Sequence, residues 1–320
     1  VVLNTSRSNT STKLAGMVAG NPILAKGEAR VILNESNTRD PSRLNGYIEV
    51  AGQKAQVVIA NPAGISCDGC GFINANRATL TTGQVQYGNG QISGYDVNRG
   101  EILVQGGGLD ASSVDSTDLL ARAVKINAGV WAQELKVTAG RNQIDAAHSR
   151  TTAKSADGSA LPAVAIDVSA LGGMYAHKIR LVGTERGVGV HNAGNIGAAA
   201  GDVAISADGA LSNRGVIQSA QNLQLSVKGD LHNQGQLYAG KDSVVTASAT
   251  LTNDGMIAAQ GDTRIAANAL RSAQNSTLAA GLNSDGSTAS SGALTLNSQS
   301  SLALNGRNMA AGMLTAQGRT

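Results

Sequence analysis

Leu211-Ser-Asn-Arg-Gly-Val-Ile217, Leu231-His-Asn-Gln-Gly-Gln-Leu237 and Leu251-Thr-Asn-Asp-Gly-Met-Ile257 are one heptapeptide written three times at a spacing of 20 residues. Leu225, Val245 and Ile265 fall on the same period. A fourth copy, Val190-His-Asn-Ala-Gly-Asn-Ile196, joins them if one residue is inserted before Gly201. Helical-pair repeats need more than about 30 residues, and the Leu-x-x-Leu-x-Leu spacing of a leucine-rich repeat is missing. Strand-length apolar pieces at this period fit one coil of a right-handed parallel β-helix, with strands of successive coils about 4.8 Å apart. Three inward aliphatic stacks follow: Leu211/Leu231/Leu251, Ile217/Leu237/Ile257 and Leu225/Val245/Ile265. Asn213, Asn233 and Asn253 are expected to form a structural ladder, amide on amide. Gly215, Gly235 and Gly255 are expected where the backbone turns. The fold class is therefore all-β, a right-handed parallel β-helix (solenoid) with short extra-helical antiparallel strands or hairpins.

Composition agrees with that reading. The 320 residues include 40 Gly but only 4 Pro, and aromatics make up 2%, so neither collagen nor an aromatic-filled core is in view. Val, Ile, Leu and Ala must fill the interior in repeated small layers. The 25 basic and 22 acidic residues leave a net charge of +3 with no Lys/Arg run, so no nucleic-acid partner is indicated. Apolar stretches are short and Gly-broken, too short for a transmembrane helix. The chain opens at Val1 without a basic-then-apolar leader.

Residues 1–110 read as short strands about ten residues apart, among them Ala29–Leu33, Gly46–Val50, Ala55–Ile59, Arg77–Thr81 and Gly100–Val104. Ser116–Ala123, with Leu119, Leu120 and Ala123 on one side, is a candidate short helix or turn. Strands resume at Val124–Ile126 and Leu135–Val137. Residues 148–160 are polar and read as a surface loop or extruded hairpin. Past Leu270 the repeat degrades, most of all over 283–292.

The densest segment is Val57-Val-Ile-Ala-Asn-Pro-Ala-Gly-Ile-Ser-Cys-Asp-Gly-Cys-Gly-Phe-Ile-Asn74. Val57, Val58 and Ile59 form the continuous apolar run of a strand buried on both faces. Asn61-Pro62 initiates a turn, Gly64 permits a positive φ and Ile65 re-enters the interior. Cys67 and Cys70 are the only cysteines. A structural disulfide clip is the bland reading; two buried thiols, or a metal or redox site, are the others. A zinc site needs two further ligands, and His148, His177, His191 and His232 are far away with no ligand spacing. A thioredoxin-like motif needs a βαβ context. No Ser/His/acid signature appears, and Gly106-Gly-Gly108 and Gly187-Val-Gly189 lack the context of nucleotide-binding loops. Asp202, Asp230, Asp242, Asp254 and Asp262 are dispersed and read as turn acids, although Asp242 and Asp262 share a column. Trp131 reads as a packed cap residue. No catalytic residue, metal or cofactor is assigned.

Asn61-Pro-Ala-Gly-Ile65 resembles the Asn-Pro-Asn-Gly-Ile secretion motif of two-partner secretion (TPS) exoproteins. These include filamentous haemagglutinin, the CdiA proteins of contact-dependent growth inhibition and the Serratia/Proteus-type haemolysins. Asn21-Pro-Ile-Leu24 looks like the companion Asn-Pro-Asn-Leu motif. Ala29–Glu35, Leu44–Gly52, Cys67–Asn74 and Thr79–Gly83 are similar to the family as well. The resemblance assigns a TPS secretion domain to 1–185 and haemagglutinin-type repeats of about 20 residues to 186–320. Ile23 and Ala63 depart from the usual Asn, so the motif carries over to Asn21, Pro22, Leu24, Asn61, Pro62, Gly64 and Ile65 only. Val1 falls inside the family's amino-terminal domain, which implies a missing cap and signal peptide.

What the resemblance implies is a non-enzymatic secretion domain and the start of a filamentous stem. Its partner would be the POTRA domains of an outer-membrane TpsB-type transporter, reached through the periplasm of a Gram-negative bacterium. The product would be secreted or held at the cell surface, with a target-cell receptor or host surface bound by regions beyond this stretch. A TPS-secreted haemolysin is the alternative within the family. A carbohydrate-active parallel β-helix, which needs a stacked carboxylate–basic cluster in a groove, is the alternative outside it.

Overall fold

A computed structural model describes residues 1–24 and 27–318 and shows strands and turns with no helix among them. Two compact units result, Val1–Gly158 and Ser159–Thr320. Each is a parallel β-helix, wound in the right-handed sense that strand–crossover–strand connections take.

In the second unit every regular coil has three strands. One coil is Leu211–Asn213, Val216–Ser219 and Leu223–Val227; the next begins with Leu231–Asn233 and Gln236–Ala239. Parallel pairing sets Leu211 against Leu231 and Leu231 against Leu251, so like residues stack. Leu211, Leu231, Leu251, Ile217, Leu237, Ile257, Leu225, Val245 and Ile265 are all at most 1% exposed. Alternation along each strand produces this: residues two apart share a face, and the intervening ones face outward. The earliest copy pairs Asn195 with Val216 but Val203 with Leu223, so its extra residue lies between Ala198 and Val203. Beyond Leu270 the coils continue. Leu294–Leu304 pairs with Thr263–Ser272, and an insertion lies after the intervening strand Thr277–Ala280, between Gly281 and Gly292, which both still bond to neighbouring coils. The apparent decay of the repeat is a loop, not an end to the winding.

The first unit uses the same ladder with more elaborate corners. One face stacks Val31–Glu35, Ala55–Ala60, Ala75–Thr81 and the end of the long strand Glu101–Ala121. Ser116–Ala121 is thus strand, where a short helix or turn is expected from sequence. Thr117 and Leu119 face one side and Asp118 and Leu120 the other; all four are buried. The sheet is covered on both faces, so the apolar run carries no period-2 signal and resembles a helical face.

The second cover is an antiparallel sheet of Gln84–Gly88, Gln91–Val97, Asn142–Asp145 and Thr151–Ala153. Residues 148–160 therefore contribute its last strand. Val58, Ala60 and Leu120 from the coil pack against Val85, Tyr95, Val97 and Ile144. Within this layer Asp118 lies 3.4 Å from Arg77 Nε and 3.1 Å from His148 Nδ1. The His148 ring meets Tyr95 edge-on at 5.2 Å. Trp131 is not a packed cap residue. It is 42% exposed on the outer face of Gly129–Ala139, lying over Gly129, where a Cβ would collide with the indole.

The Tyr95 hydroxyl is buried and has no hydrogen-bond partner among the described residues. Burial, and then the Asp118 carboxylate, push it up to about 12 from the usual 10. Above pH 10 the unfolded chain releases a proton that the folded chain retains. Stability is therefore fully present below about pH 10 and falls by about 2–3 kcal/mol as pH rises through about 12. Tyr95→Phe is expected to remove this alkaline step while changing stability at neutral pH by less than about 1 kcal/mol. Urea titrations at about pH 8 and about pH 11.5 compare the two.

Candidate functional site

Ala55–Ala60 delivers Asn61 to the first corner of its coil, where the side chain is fully buried. Asn61 Oδ1 accepts the Ala63 N–H at 2.9 Å, and its main-chain oxygen accepts the Gly64 N–H at 3.0 Å. These bonds close an Asx-turn inside a β-turn with Pro62 in the position that its fixed φ suits. Asn61 Nδ2 donates to the Asp40 carbonyl at 3.0 Å and to Ser42 Oγ at 2.9 Å, both in the preceding coil. Gly64 has φ of +130°, and an added Cβ would lie 3.1 Å from the Glu101 carbonyl in the following coil. Ile65 then enters the core at 1% exposure. The turn is thus tied to the coils on both sides.

Asn21 builds the same device more openly. Its Oδ1 accepts the Ile23 N–H at 3.0 Å, and its Nδ2 donates to the Asn4 carbonyl at 3.3 Å. The Asn21 N–H donates to the Ser6 carbonyl at 2.8 Å. Pro22 is exposed, Leu24 half-buried, and the Leu24 carbonyl accepts the Gly27 N–H at 3.2 Å. No hydrogen bond joins the two turns among the described residues. In both, the third position supplies a backbone N–H, while its side chain faces outward: Ile23 is 85% exposed and Ala63 half-buried. That geometry accounts for the departures from Asn at these positions. Asn4, Asp40 and Ser42 carry no local sequence signal, because each lies about 17 to 21 residues before the asparagine it meets.

Cys67 and Cys70 are joined by a disulfide with Cα atoms 5.3 Å apart. Both are stacked core residues, at 0% and 2% exposure. Cys67 pairs with Val104 and Cys70 with Leu109, so the bridge spans a corner and the Asp68-Gly69 tip bulges outward. The next coil carries a matching bulge at Gly106–Gly108. Asp68 Oδ1 accepts the Gly107 N–H at 2.9 Å, and a Cβ on Gly107 would lie 2.8 Å from Gly69 Cα. The Gly106–Gly108 run is the complement of the cysteine corner.

The asparagine column lies in the second unit. Asn192, Asn213 and Asn233 each donate through Nδ2 to the Oδ1 of the next asparagine at 2.8 Å, ending at Asn253. All four are fully buried. A Cβ at Gly215, Gly235 or Gly255 would strike the carbonyl oxygen of Gly194, Gly215 or Gly235 one coil earlier.

Acids and bases converge in one groove of the second unit, about 500 Å³, lined by Lys178, Arg180, Asp202, Asp242 and Arg264. Its carboxylates are committed to the backbone: Asp202 Oδ1 accepts the Asn222 N–H at 2.9 Å, and Asp242 Oδ1 the Asp262 N–H at 2.8 Å. Among the described residues no three His, Cys, Asp or Glu side chains are placed to hold a metal ion.

Two families match the chain in turn, with a boundary later than the 185/186 division expected from sequence. Residues 1–213 match the TPS secretion domain family, and residues 218–319 match the haemagglutinin repeat. The chain belongs to the two-partner secretion exoproteins. Toxin CdiA of Yersinia pestis is 69% identical over 223 residues, covering 70% of this chain and 7% of that protein. The tRNA nuclease CdiA-2 of Burkholderia pseudomallei (strain 1026b) is 53% identical over 320 residues, covering 99% of this chain and 10% of that protein. The crystal structure of the filamentous hemagglutinin secretion domain matches with a TM-score of 0.66 and 35% identity, over 76% of this chain and 82% of that one. The chain therefore spans about a tenth or less of the length of these curated relatives.

For this TPS exoprotein, Asn61→Ala leaves the Asp40 carbonyl, Ser42 Oγ and Ala63 N–H without their partner. We expect a loss of about 2–3 kcal/mol, against less than about 0.5 kcal/mol for Ile23→Asn or Ala63→Asn. Urea unfolding of the three variants makes the comparison.

Proposed function

We propose that residues 1–185 act as the secretion domain and residues 186–320 as the first stem repeats of a large surface-exposed or secreted exoprotein of the CdiA/haemagglutinin type. The chain crosses the periplasm unfolded and is recognised by the POTRA domains of an outer-membrane TpsB-type transporter. It threads through that barrel and winds into a β-helix outside the cell. This region is not the catalytic part. A toxic or adhesive activity, and contact with a receptor, belong to other regions of the protein. Similarity to CdiA toxins favours this reading over a haemolysin.

The observation that carries the proposal is that the ladder hydrogen bonds of each unit run between neighbouring coils. A coil needs only its predecessor to fold, so winding can follow emergence of the chain from a pore. Each new coil covers the exposed strand edges of the last, which opposes backsliding. Asn61 and Pro62 serve this process chiefly by fixing a turn, because the amide is buried and fully hydrogen-bonded.

The cysteine pair suits such a route, since a bridge between residues three apart closes almost no loop. A wide loop formed in the oxidising periplasm would have to pass the barrel as a double strand. Cys70→Ala with Val104→Cys moves the bridge to register-paired positions 37 residues apart in sequence. Export with the cognate transporter is expected to fall at least about tenfold for this variant and to recover in reductant. Unchanged export would sink the idea. Asn61→Ala is expected to accumulate in the periplasm, and export without the transporter would overturn the whole reading.

A further inference from the structure

Beside the Asn61–Gly64 turn lies a cleft of about 430 Å³ lined by Arg39, Pro62, Ala63, Arg99 and Gly100. Arg39 comes from the loop before Ser42, and Arg99 from the end of the antiparallel cover. Both side chains are exposed, and neither has a hydrogen-bond or ion-pair partner among the described residues. The nearby cation Lys125 is neutralised by Glu101 at 3.0 Å. Asp40, next to Arg39 in sequence, forms no ion pair with either guanidinium among the described residues.

The floor is kept bare by constraint. Gly100 has φ of +86°, and a Cβ there would lie 2.8 Å from the Pro62 carbonyl and from Thr82 Cβ. Any side chain at 100 would strain the backbone and press into the turn. Two unpaired guanidiniums thus flank a small floor in which Pro62 is buried and Ala63 and Gly100 are half-exposed. Guanidinium forks match carboxylates, and their charge is fixed at every relevant pH.

We propose that this cleft binds an acidic peptide segment of a protein partner, its carboxylates on Arg39 and Arg99 and its backbone over Ala63 and Gly100. The proposal goes beyond the export reading, because the cleft exists only once the coils on either side of the turn have folded. Its partner therefore meets the folded chain. A membrane or polyphosphate surface fits less well: such polyanions are held by extended rows of cations, whereas here only two cations, Arg39 and Arg99, line the cleft.

The test uses the purified folded 320-residue chain and a fluorescent tetraglutamate peptide in anisotropy titrations at low and physiological salt. Arg39→Gln with Arg99→Gln is expected to weaken binding at least about tenfold. Arg180→Gln with Arg271→Gln, equal in charge and exposed elsewhere, is expected to leave it within about twofold. A tetraglutamine peptide should not bind. Equal loss in the two double variants, or no binding to the unaltered chain, overturns the proposal. Displacement of the peptide by phosphatidylglycerol vesicles but not by unlabelled tetraglutamate would reassign the cleft to phosphate and also overturn it. Since the readout is binding by folded protein, failure of the export reading leaves the result standing, and the reverse holds as well.

Discussion

A coil strand in this protein sends its backbone hydrogen bonds to the coils before and after it. Most other features follow from meeting that condition with side chains small enough to stack. An isolated coil would leave its N–H and C=O groups unpaired on both edges and its aliphatic residues half in water. Stacking satisfies both at once, and it forces each side chain to sit over a near-copy of itself. Aliphatic residues tolerate that inside the coil. A buried amide tolerates it because Asn carries donors and an acceptor, so one rung's Nδ2 serves the next rung's Oδ1. A column of carboxylates or ammonium groups could not do so without repulsion.

The same condition explains where irregularity is permitted. Corners lie outside the ladder, so a bulge there disrupts no long strand, provided the neighbouring coil accommodates it. The cysteine corner shows the requirement most sharply. Asp68-Gly69 projects outward only because Gly106–Gly108 retreats above it, with Asp68 bonded to the Gly107 N–H. Insertions obey the rule too, since the chain leaves the coil after Gly281, returns by Gly292, and resumes the strand register at Leu294.

Much of the fold was legible because the second unit repeats in register with its period. The inward positions of Leu211, Ile217 and Leu225 follow from alternation and recurrence alone, and the all-β parallel helix was expected on that basis. Legibility failed where two covers replaced one. Ser116–Ala121 is buried from inside by the coil and from outside by the antiparallel sheet, which removes the alternation that marks a strand. Trp131 departs from its sequence expectation for a related reason. Aromatic rings are usually buried for their area, but here the ring shields the backbone of Gly129 from outside the coil. His148 and Asp118 are 30 residues apart in sequence and meet only because the cover folds back, so spacing could not pair them.

The secretion turns mark the boundary between what a motif states and what it requires. Four of the five positions at Asn61–Ile65 have physical reasons to be what they are. Asn61 needs an amide that can accept from Ala63 and donate twice to the preceding coil. Pro62 needs its fixed φ, Gly64 its positive φ, and Ile65 its place in the core. The third position needs only an N–H, and that is where this chain differs in both motifs. Ile23 and Ala63 are thus the positions where variation leaves the turn intact while changing the surface beside it. In the second motif that surface borders the cleft between Arg39 and Arg99, so a substitution at Ala63 alters what the folded turn presents without altering how it folds.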